Sequence, residues 1–300
     1  MAFVAGPVRV DVPATSANLG PGFDSLGLAL GLRDELEGEV LADGLVVDVT
    51  GAGADSVPRD ESHLVVRSMR AAFDALGEQP PGLRLDCTNV IPHARGLGSS
   101  SAAIVGGLAL ARALVTDGAD LLDDDALFRL AAQLEGHPDN VAPAAYGGFV
   151  ISGREGDAWY AVRAPVDTRI VAVVYVPPDP VSTEVARGLL PATVPHADAA
   201  ADAGRTALLV AALGGAPEHL LAATRDYLHQ DYRRPAMPAS LNLVDALRAD
   251  GLAAVVSGAG PTVLVLADAD AVTTGDLAAR CPAGWEQHTL LVATDGVRVR

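Results

Sequence analysis

Residues Pro92–Ala102 read Pro-His-Ala-Arg-Gly-Leu-Gly-Ser-Ser-Ser-Ala and join a strand-like run to a long alanine-rich helical pattern. Two glycines followed by three serines place exposed backbone N–H groups at the start of a helix. Such an N-terminus favours phosphate, because its free N–H groups and its dipole both attract negative charge. The chain contains no lysine, which excludes nucleotide loops that depend on one. A phosphate site here must use backbone dipoles, hydroxyls, a metal or arginine.

Composition narrows the class of protein. The 300 residues are 50% hydrophobic, enough for one large or two modest domains with true cores. A formal net charge of −17 argues against a nucleic-acid partner, because no basic surface would follow a phosphate backbone. The sequence has no signal-peptide pattern and no apolar stretch of about 20 residues, so we expect a cytoplasmic protein without membrane contact. The distant cysteines Cys87 and Cys281 lack metal-binding spacing and are expected to be buried thiols.

The residues before the phosphate loop predict strands and one helix. Val8–Val12 alternates as a half-buried strand should, and a strand-like pattern resumes at Leu26–Leu32. Between them, Pro13–Asp24 is rich in glycine, proline and small polar residues, which predicts a shaped loop with a function. A hairpin connection is the simpler alternative. Further along, the pattern predicts a strand at 45–49, a helix at 61–76 ended by Gly77, and a strand at 83–87.

Two helices are expected after the phosphate loop. Ser101–Leu114 is apolar on every side and should be buried, so that its N-terminus faces a cleft from inside the core. An amphipathic helix begins at Asp123–Asp125 and runs to Leu134. It leads into Glu135–Pro143, where Glu, His, Asp and Asn lie close together before a strand at 146–151. Helix caps and a proline turn would explain these residues, but their concentration favours a site.

The character of the sequence changes near Ala164–Pro165, where we place the boundary between a domain at 1–165 and a domain at 166–300. Patterns in the second part predict strands at 170–176, 253–256, 263–266 and 289–293, and helices at 183–190, 198–213, 218–228, 240–249 and 271–279. Ser257–Thr262 is a second glycine-rich loop, for which a tight hairpin is the simpler alternative. Arg233 and Arg234 fit either a solvated pair or a binding site.

The loops in combination are more specific than any one of them. The chain resembles the GHMP small-molecule kinases, whose three motifs match Pro13–Asp24, Pro92–Ala102 and Ser257–Thr262 in order and spacing. Thr15–Asp24 and His137–Pro143 resemble the homoserine kinases among them. The resemblance implies an α+β fold, in which an N-terminal domain like the second domain of ribosomal protein S5 joins a ferredoxin-like C-terminal domain. It also implies ATP-dependent phosphorylation of the L-homoserine hydroxyl to O-phospho-L-homoserine, on the route to threonine.

The same resemblance assigns roles to residues. It implies that ATP is bound by His63 near the base and by Pro92, Arg95, Gly96, Leu97, Gly98, Ser99, Ser100, Ser101 and Ala102 around the phosphates. Ser100 and Glu135 would hold Mg²⁺, whose preference for oxygen ligands suits a hydroxyl and a carboxylate. Substrate binding would fall to Asn18, Asp24, His137, Asn140, Arg187 and Arg233. The two arginines suit the substrate carboxylate, and Asp24 suits its ammonium group. We also expect a homodimer.

Catalysis is expected from Asn140, Arg187 and Asp24. Asn140 would lie nearest the reacting hydroxyl, and an amide cannot accept a proton as a base would. We therefore expect direct in-line transfer without a dedicated catalytic base, achieved by alignment and metal. Two departures from the family pattern leave nucleotide choice and substrate affinity open: His63 stands where the family usually has Asn, and Asp231 where it usually has Pro.

Three rival functions are compatible with parts of this pattern. A sugar or mevalonate-type kinase of the same superfamily would keep the serine loop, and a sugar would not need a carboxylate clamp at Arg187 and Arg233. A related decarboxylase would release carbon dioxide. A non-catalytic, ligand-binding regulator need not keep a metal site, and intact Ser100 and Glu135 argue against it.

Overall fold

The computed structural model of the chain describes residues 2–269 and 277–300. Helices and strands are mixed throughout these residues, which confirms the α+β expectation. The strands are β1 (Val8–Asn18), β2 (Gly22–Leu41), β3 (Gly44–Gly51), β4 (Gly82–Asn89), β5 (Phe149–Glu155), β6 (Ala158–Ala164), β7 (Ile170–Val176), β8 (Ala253–Val256), β9 (Val263–Asp268), β10 (Glu286–Leu291) and β11 (Arg298–Val299). The helices are α1 (Leu64–Leu76), α2 (Ser99–Ala113), α3 (Gly118–Leu121), α4 (Asp124–Glu135), α5 (Val141–Tyr146), α6 (Thr183–Gly188), α7 (His196–Gly215), α8 (Leu220–Ala223) and α9 (Pro238–Ala249).

The first sheet has the strand order β11-β1-β2-β4-β3, and β5 and β6 extend it from β2. Its neighbouring strands are antiparallel except β3 and β4, which run parallel because α1 crosses between them. Helix α2 packs on β1, with α1 and α4 on either side of it. The core lies between this sheet and these helices.

Helix α2 is buried, as its all-round apolar pattern predicts. It begins at Ser99, two residues earlier than expected, so the three serines form its first turn. Close packing requires Gly107, where a Cβ atom would lie 2.7 Å from the Val65 carbonyl oxygen of α1. The N-terminus of α2 is therefore fixed by the core behind it.

The long loop predicted at Pro13–Asp24 is wrong as a conformation, because these residues form a hairpin; the function expected of them stays a prediction. Residues 13–18 continue β1 and residues 22–24 begin β2, so the turn itself spans only 19–21. Strands β1 and β2 stay paired on both sides of Pro13 because the register shifts between Pro13 and Ala14, and again between Ala17 and Asn18. Such β-bulges absorb residues that do not fit a regular ladder.

The helix predicted at 218–228 is also too long, because α8 ends at Ala223. The Asp226 carboxylate accepts hydrogen bonds from the N–H groups of Leu228, His229 and Gln230. These hydrogen bonds to the Asp226 side chain replace the backbone hydrogen bonds that would continue the helix, so the helix does not extend through these residues. Strand β6 and helix α5 were not predicted, and most of the helix predicted at 271–279 lies outside the described residues.

The second sheet has the order β10-β7-β9-β8, all antiparallel. Numbered from its first strand, this order is 4-1-3-2, the arrangement of the ferredoxin-like split βαβ motif. The chain then returns to the first sheet, where β11 pairs with β1. Domain boundaries at 165 and 166 remain a prediction.

The buried Asp11 on β1 anchors the returning chain. Its carboxylate accepts hydrogen bonds from Arg33, Arg298 and Arg300. Burial alone would raise the pKa of Asp11, but the three guanidinium groups outweigh it and hold that pKa below its usual value. None of the helices in residues 2–269 and 277–300 is both long and apolar enough to cross a membrane.

Candidate active site

The phosphate loop that precedes α2 lies where the predicted motifs meet. The Thr15 N–H of the β1–β2 hairpin donates to the Leu97 carbonyl at 3.0 Å. From the other side, Ser257 Oγ of the second glycine-rich loop donates to the Gly96 carbonyl at 2.6 Å. The three motifs, far apart in sequence, therefore form one site.

Two glycines make this close packing possible. A Cβ atom at Gly96 would lie 2.3 Å from the Ser257 carbonyl oxygen, and one at Gly98 would lie 1.9 Å from Thr15 Oγ1. Both glycines also have positive φ angles, +77° and +71°. Gly98 is the N-cap of α2 and supplies no side-chain cap, so the first-turn N–H groups stay free to bind an anion.

Two cavities open on either side of the start of α2, and Ser99 and Ser100 line both. One, of about 270 Å³, is mostly apolar and is lined by His63, His93, Val57, Pro58, Leu64 and Ala103 among others. The second, of about 310 Å³, is more polar and is lined by Asn18, Glu135, His137, Asp139, Asn140, Arg187 and Arg233 among others. An apolar and a polar cavity that share a phosphate loop suit a nucleotide and a small polar substrate.

His63 forms part of the apolar cavity. Its side chain is buried, and its Nδ1 has no hydrogen-bond partner among the described residues. Burial, and to a lesser extent His93, lowers the pKa of His63, so its ring is neutral at pH 7. A neutral ring nitrogen without a partner is suited to a hydrogen bond with a nucleotide base, and the role of His63 stays a prediction.

The structure brings the expected metal ligands together. Ser100 Oγ donates to Glu135 Oε2 at 2.9 Å, and Ser101 Oγ donates to Glu135 Oε1 at 3.1 Å. Residues 2–269 and 277–300 contain no group of three or more His, Cys, Asp or Glu side chains that could hold a metal. One carboxylate and a hydroxyl beside a phosphate site nevertheless fit Mg²⁺, which completes its shell with phosphate oxygens and water.

Asp24 and Arg187 are bound to each other. Arg187 on α6 donates to both carboxylate oxygens of Asp24, at 2.6 and 3.1 Å. Asn18 Oδ1 accepts from the Asp24 N–H at 3.0 Å, and Asn18 Nδ2 donates to the Gly258 carbonyl at 2.9 Å. Three of the expected substrate residues are therefore connected, and their opposite charges compensate.

Arg233 forms no such direct ion pair with a carboxylate in the described residues, although Asp24, Asp139 and Asp226 lie near enough to favour its charge. Its side chain is only 1% exposed, and Nη1 donates to His229 Nδ1 and to the Gly258 carbonyl, each at 3.0 Å. Neither partner is a carboxylate, and Nε has no hydrogen-bond partner within the described residues. Burial, together with the nearby Arg187, lowers the pKa of Arg233 to about 10, so the group stays charged at pH 7. A buried cation with free N–H groups is suited to an anionic ligand.

The turn from His137 to Asn140 forms another wall of the polar cavity. Asn140 Oδ1 accepts from Thr15 Oγ1 at 2.8 Å. The Asn140 N–H donates to Asp139 Oδ1 at 2.9 Å, and His137 Nδ1 lies 3.2 Å from the same oxygen. This hydrogen bond to Asp139 raises the pKa of His137. Within residues 2–269 and 277–300 the N–H groups of the Asn140 side-chain amide have no protein partner, which leaves them available for a ligand.

Some expected residues lie outside the two cavities. Arg95 donates to the carbonyls of His93, Pro177 and Pro178, so its side chain braces the loop. Leu97 is buried in the core, which leaves only its backbone to contact a ligand at the phosphate loop. The extra carboxylate at Asp231 is mostly exposed and pairs with Arg234 at 3.0 Å rather than with Arg233.

Several side chains that complete the site were not predicted from the sequence. Thr15, Asp139 and Ser257 lie inside the recognised motifs, and their position between assigned residues was the available signal. Phe23 and His229 stack with ring centroids 5.1 Å apart. No local pattern links these two rings, because they come from segments about 200 residues apart in the chain.

Comparisons with known proteins identify the family of the chain. Residues 63–148 match the family described as GHMP kinases N terminal domain, and residues 208–274 match GHMP kinases C terminal. The homoserine kinase of Streptomyces coelicolor is 57% identical over 99% of this chain and 96% of its own length. That of Clavibacter michiganensis is 50% identical over 98% of this chain and 94% of its own.

Solved structures give the same result. A crystal structure of homoserine kinase from Cytophaga hutchinsonii superposes with a TM-score of 0.82 over 100% of both chains, at 27% identity. Mevalonate diphosphate decarboxylase from Enterococcus faecalis has a TM-score of 0.71 over 98% of each chain, and its 14% identity makes this a likeness of fold alone. The chain belongs to the GHMP kinase family and, within it, to the homoserine kinases.

Proposed function

We propose that this protein catalyses the ATP-dependent phosphorylation of the hydroxyl of L-homoserine to O-phospho-L-homoserine, a step toward threonine. Relatives at 50 to 57% identity over nearly the whole chain are homoserine kinases. The observation that carries the substrate assignment is the buried Arg233 guanidinium, whose Nε lacks a partner among the described residues. A sugar offers no carboxylate to such a group, whereas an amino acid does.

The charges of the site match those of a zwitterion. Asp24 supports binding of the ammonium group, while Arg233 and Arg187 support binding of the carboxylate. Because Asp24 and Arg187 compensate each other in the free protein, one cation and one anion can replace their mutual contact without leaving an unpaired charge. Asn18 and His137 would hold the remaining polar groups of the substrate.

We infer that ATP spans the two cavities, with its base near His63 and its phosphates at the first turn of α2. Ser100 and Glu135 would hold the divalent metal, for which we propose Mg²⁺. A divalent metal held by these two residues would supply positive charge to neutralise the transferring phosphoryl group. The N–H groups of Ser99, Ser100 and Ser101 supply fixed dipoles for the same purpose.

Transfer is proposed to be direct and in line. The homoserine hydroxyl oxygen bonds to the γ-phosphorus as the bond to the ADP oxygen breaks, and the hydroxyl proton passes to phosphate or solvent. Asn140 orients the hydroxyl through its side-chain amide. Asp24 and Asp139 already accept hydrogen bonds from Arg187 and from the His137–Asn140 turn, which supports transfer without a dedicated base.

A coupled ADP-release assay tests the substrate, using L-homoserine, L-serine, mevalonate and galactose in parallel. We expect turnover with L-homoserine and a phosphomonoester signal in the ³¹P NMR spectrum of the product. Turnover of another alcohol without turnover of homoserine would overturn the proposal. Release of carbon dioxide would indicate a decarboxylase, and binding without turnover would indicate a regulator.

Substitution of Arg233 tests the carboxylate assignment. Arg233→Lys keeps the charge but loses the planar fork, so we expect KM for homoserine to rise by about 10-fold or more while KM for ATP is unchanged. Arg234→Lys is the matched control, since Arg234 pairs with Asp231 and Asp245 at the surface. Equal effects of both substitutions would contradict the assignment.

The proposal includes a cytoplasmic homodimer as the working form. Light scattering of the purified protein tests the oligomeric state. Activity measured with Mg²⁺, Mn²⁺ and Ca²⁺ in turn tests the choice of metal, and we expect Ca²⁺ to support the least turnover because it favours larger coordination shells.

A further inference from the structure

His229 is a fully buried histidine to which the proposed reaction assigns no role, yet it contacts Arg233. Its Nε2–H donates to the Gly20 carbonyl at 2.7 Å, and its Nδ1 accepts from Arg233 Nη1 at 3.0 Å. Burial lowers the pKa of His229, so the ring is neutral. This network requires the tautomer that carries its proton on Nε2.

The contacts of Arg233 divide its guanidinium into an occupied and a free edge. A guanidinium has five N–H donors in a fixed plane. Both Nη1 hydrogens are used, one by His229 Nδ1 and one by the Gly258 carbonyl. Nε has no partner among the described residues. The Nε and Nη2 donors lie in this plane along one edge of the group, and together they match the two oxygens of a carboxylate.

The Phe23 ring contacts both the His229 imidazole and the Arg233 guanidinium. Its ring stacks on His229 with an interplanar angle of 28°. The guanidinium carbons of Arg187 and Arg233 each lie 5.5 Å from the centre of the same ring. The aromatic face therefore lies against both cations, which favours them electrostatically, and it limits rotation of the imidazole.

We propose that His229, as the Nε2–H tautomer, is a positioning residue that turns the Nε and Nη2 edge of Arg233 toward the substrate carboxylate. Without an acceptor at Nδ1, one Nη1 hydrogen of a buried cation loses its partner, and the guanidinium can rotate to find another. The free edge then no longer meets the carboxylate in a fixed orientation. This inference rests on the proposed function, because it specifies how an amino acid substrate is bound.

Two amide substitutions separate the roles of the two ring nitrogens. The side-chain oxygen of His229→Asn lies near the position of Nδ1 and keeps an acceptor for Arg233. The amide of His229→Gln reaches the position of Nε2 and keeps a donor for Gly20, but removes the acceptor. We expect Gln to raise KM for homoserine by about 10-fold or more, and Asn to raise it by no more than about 3-fold. For both variants, kcat and KM for ATP should change by less than about 2-fold.

A substrate without the carboxylate provides the control. 3-Aminopropan-1-ol has the ammonium and the hydroxyl of homoserine, so kcat/KM for it should be the same in wild type and His229→Gln. An equal loss with both substrates, or equal effects of Gln and Asn on KM for homoserine, would make His229 a structural residue and overturn the inference. Absence of homoserine turnover in the wild type would instead overturn the proposed function.

Nitrogen-15 NMR of the wild-type protein tests the tautomer even if a variant fails to fold. We expect the His229 signals of a neutral ring protonated at Nε2. A ring protonated at Nδ1, or at both nitrogens at pH 7, could not accept the bond from Arg233 and would overturn the inference.

Discussion

At the scale of single residues, Asp139 and Asn140 are neighbours in the sequence, and we expect them to have different roles in the site. The Asp139 carboxylate is buried and accepts hydrogen bonds from its own turn, which shapes the wall of the cavity. Asn140 lines the same cavity and is held through Thr15. If transfer needs alignment more than proton removal, the amide should matter more than the carboxylate.

Kinetics of Asn140→Ala and Asp139→Asn test this order. We expect Asn140→Ala to lower kcat by about 10- to 100-fold, because the hydroxyl loses its orienting partner. Asp139→Asn should lower kcat by less than about 10-fold, well below the roughly 100-fold that even a weak general base contributes. A larger loss for Asp139→Asn, with Asn140→Ala unchanged, would identify Asp139 as a base.

Asp34 is a buried carboxylate beside the apolar cavity, and its effect on stability depends on pH. Burial raises its pKa to about 6, despite hydrogen bonds from the N–H groups of Ile91 and Val90. Since the folded pKa exceeds the unfolded one, ionised Asp34 destabilises the fold above about pH 6, and the penalty disappears below about pH 4. Asp34→Asn should therefore raise the free energy of unfolding by about 2 kcal/mol at pH 8 and by almost nothing at pH 4. Urea titrations at both pH values measure the difference, and a constant offset would contradict it.

Single-residue assignments were predictable where a motif surrounds the residue. The family resemblance assigned Ser100 and Glu135 to the same metal site, and in the structure Ser100 Oγ lies 2.9 Å from Glu135 Oε2. His229 could not be found in this way, because its importance comes from Gly20, Phe23 and Arg233 around it. Contacts between distant segments leave no local signal in a single sequence.

At the scale of elements, helix α2 depends on glycines that its sequence pattern does not explain. Glycine weakens a helix interior, yet Gly107 allows α1 and α2 to touch at backbone distance. A helix with a glycine in open surroundings should respond in the opposite way. Gly204 in α7 is such a case, because a Cβ atom added there would meet nothing within 4 Å.

Alanine substitutions at these two glycines should have opposite signs. Gly107→Ala forces α1 and α2 apart and should lower the free energy of unfolding by about 1–3 kcal/mol. Gly204→Ala should raise it by about 0.5–1 kcal/mol, because alanine has the higher helix propensity and meets no obstacle. Chemical denaturation of both variants measures this, and the same sign at both sites would contradict the role of Gly107 in packing.

Elements were predicted well when their burial was uniform. The buried strand β7 lies at the predicted 170–176, and α2 is buried as its composition requires. The helix expected at 218–228 failed because Asp226 captures the N–H groups that the helix would have used. Side-chain hydrogen bonds of this kind compete with those of a helix, and the spacing of apolar residues in the sequence does not reveal them.

At the scale of the whole molecule, the site depends on both sheets. The β1–β2 hairpin belongs to the first sheet, and the glycine-rich loop between β8 and β9 belongs to the second. The predicted strands and helices are compatible with this architecture, but they do not determine how the two sheets are arranged. The resemblance to the GHMP kinases supplied that arrangement. Pairing of sheets depends on contacts that are not encoded by periodicity.

The ion pairs of Asp11 with Arg298 and Arg300 also concern the whole molecule, because the two arginines lie far from Asp11 in the sequence. Replacing both arginines with alanine should lower the free energy of unfolding by about 2 kcal/mol at pH 7, since it leaves Asp11 with Arg33 alone. The pKa of Asp11 is lowered in the fold, so this loss should persist above about pH 4 and shrink as the carboxylate is protonated below it. Arg84→Ala, which removes an exposed pair with Asp86, is the control and should change stability by no more than about 0.5 kcal/mol. Equal losses in both variants, or no dependence on pH, would contradict the anchor.

The pairing of β11 with β1 has a consequence for synthesis on the ribosome. Strand β1 emerges long before its outer neighbour, which consists of residues 298 and 299. Until those residues leave the exit tunnel, the first sheet has an open edge whose N–H and C=O groups can pair with another nascent chain. The nascent protein is therefore exposed to aggregation along β1 while the segments between the two strands are being translated, and β11 covers that edge at Val10 and Asp11 when it pairs.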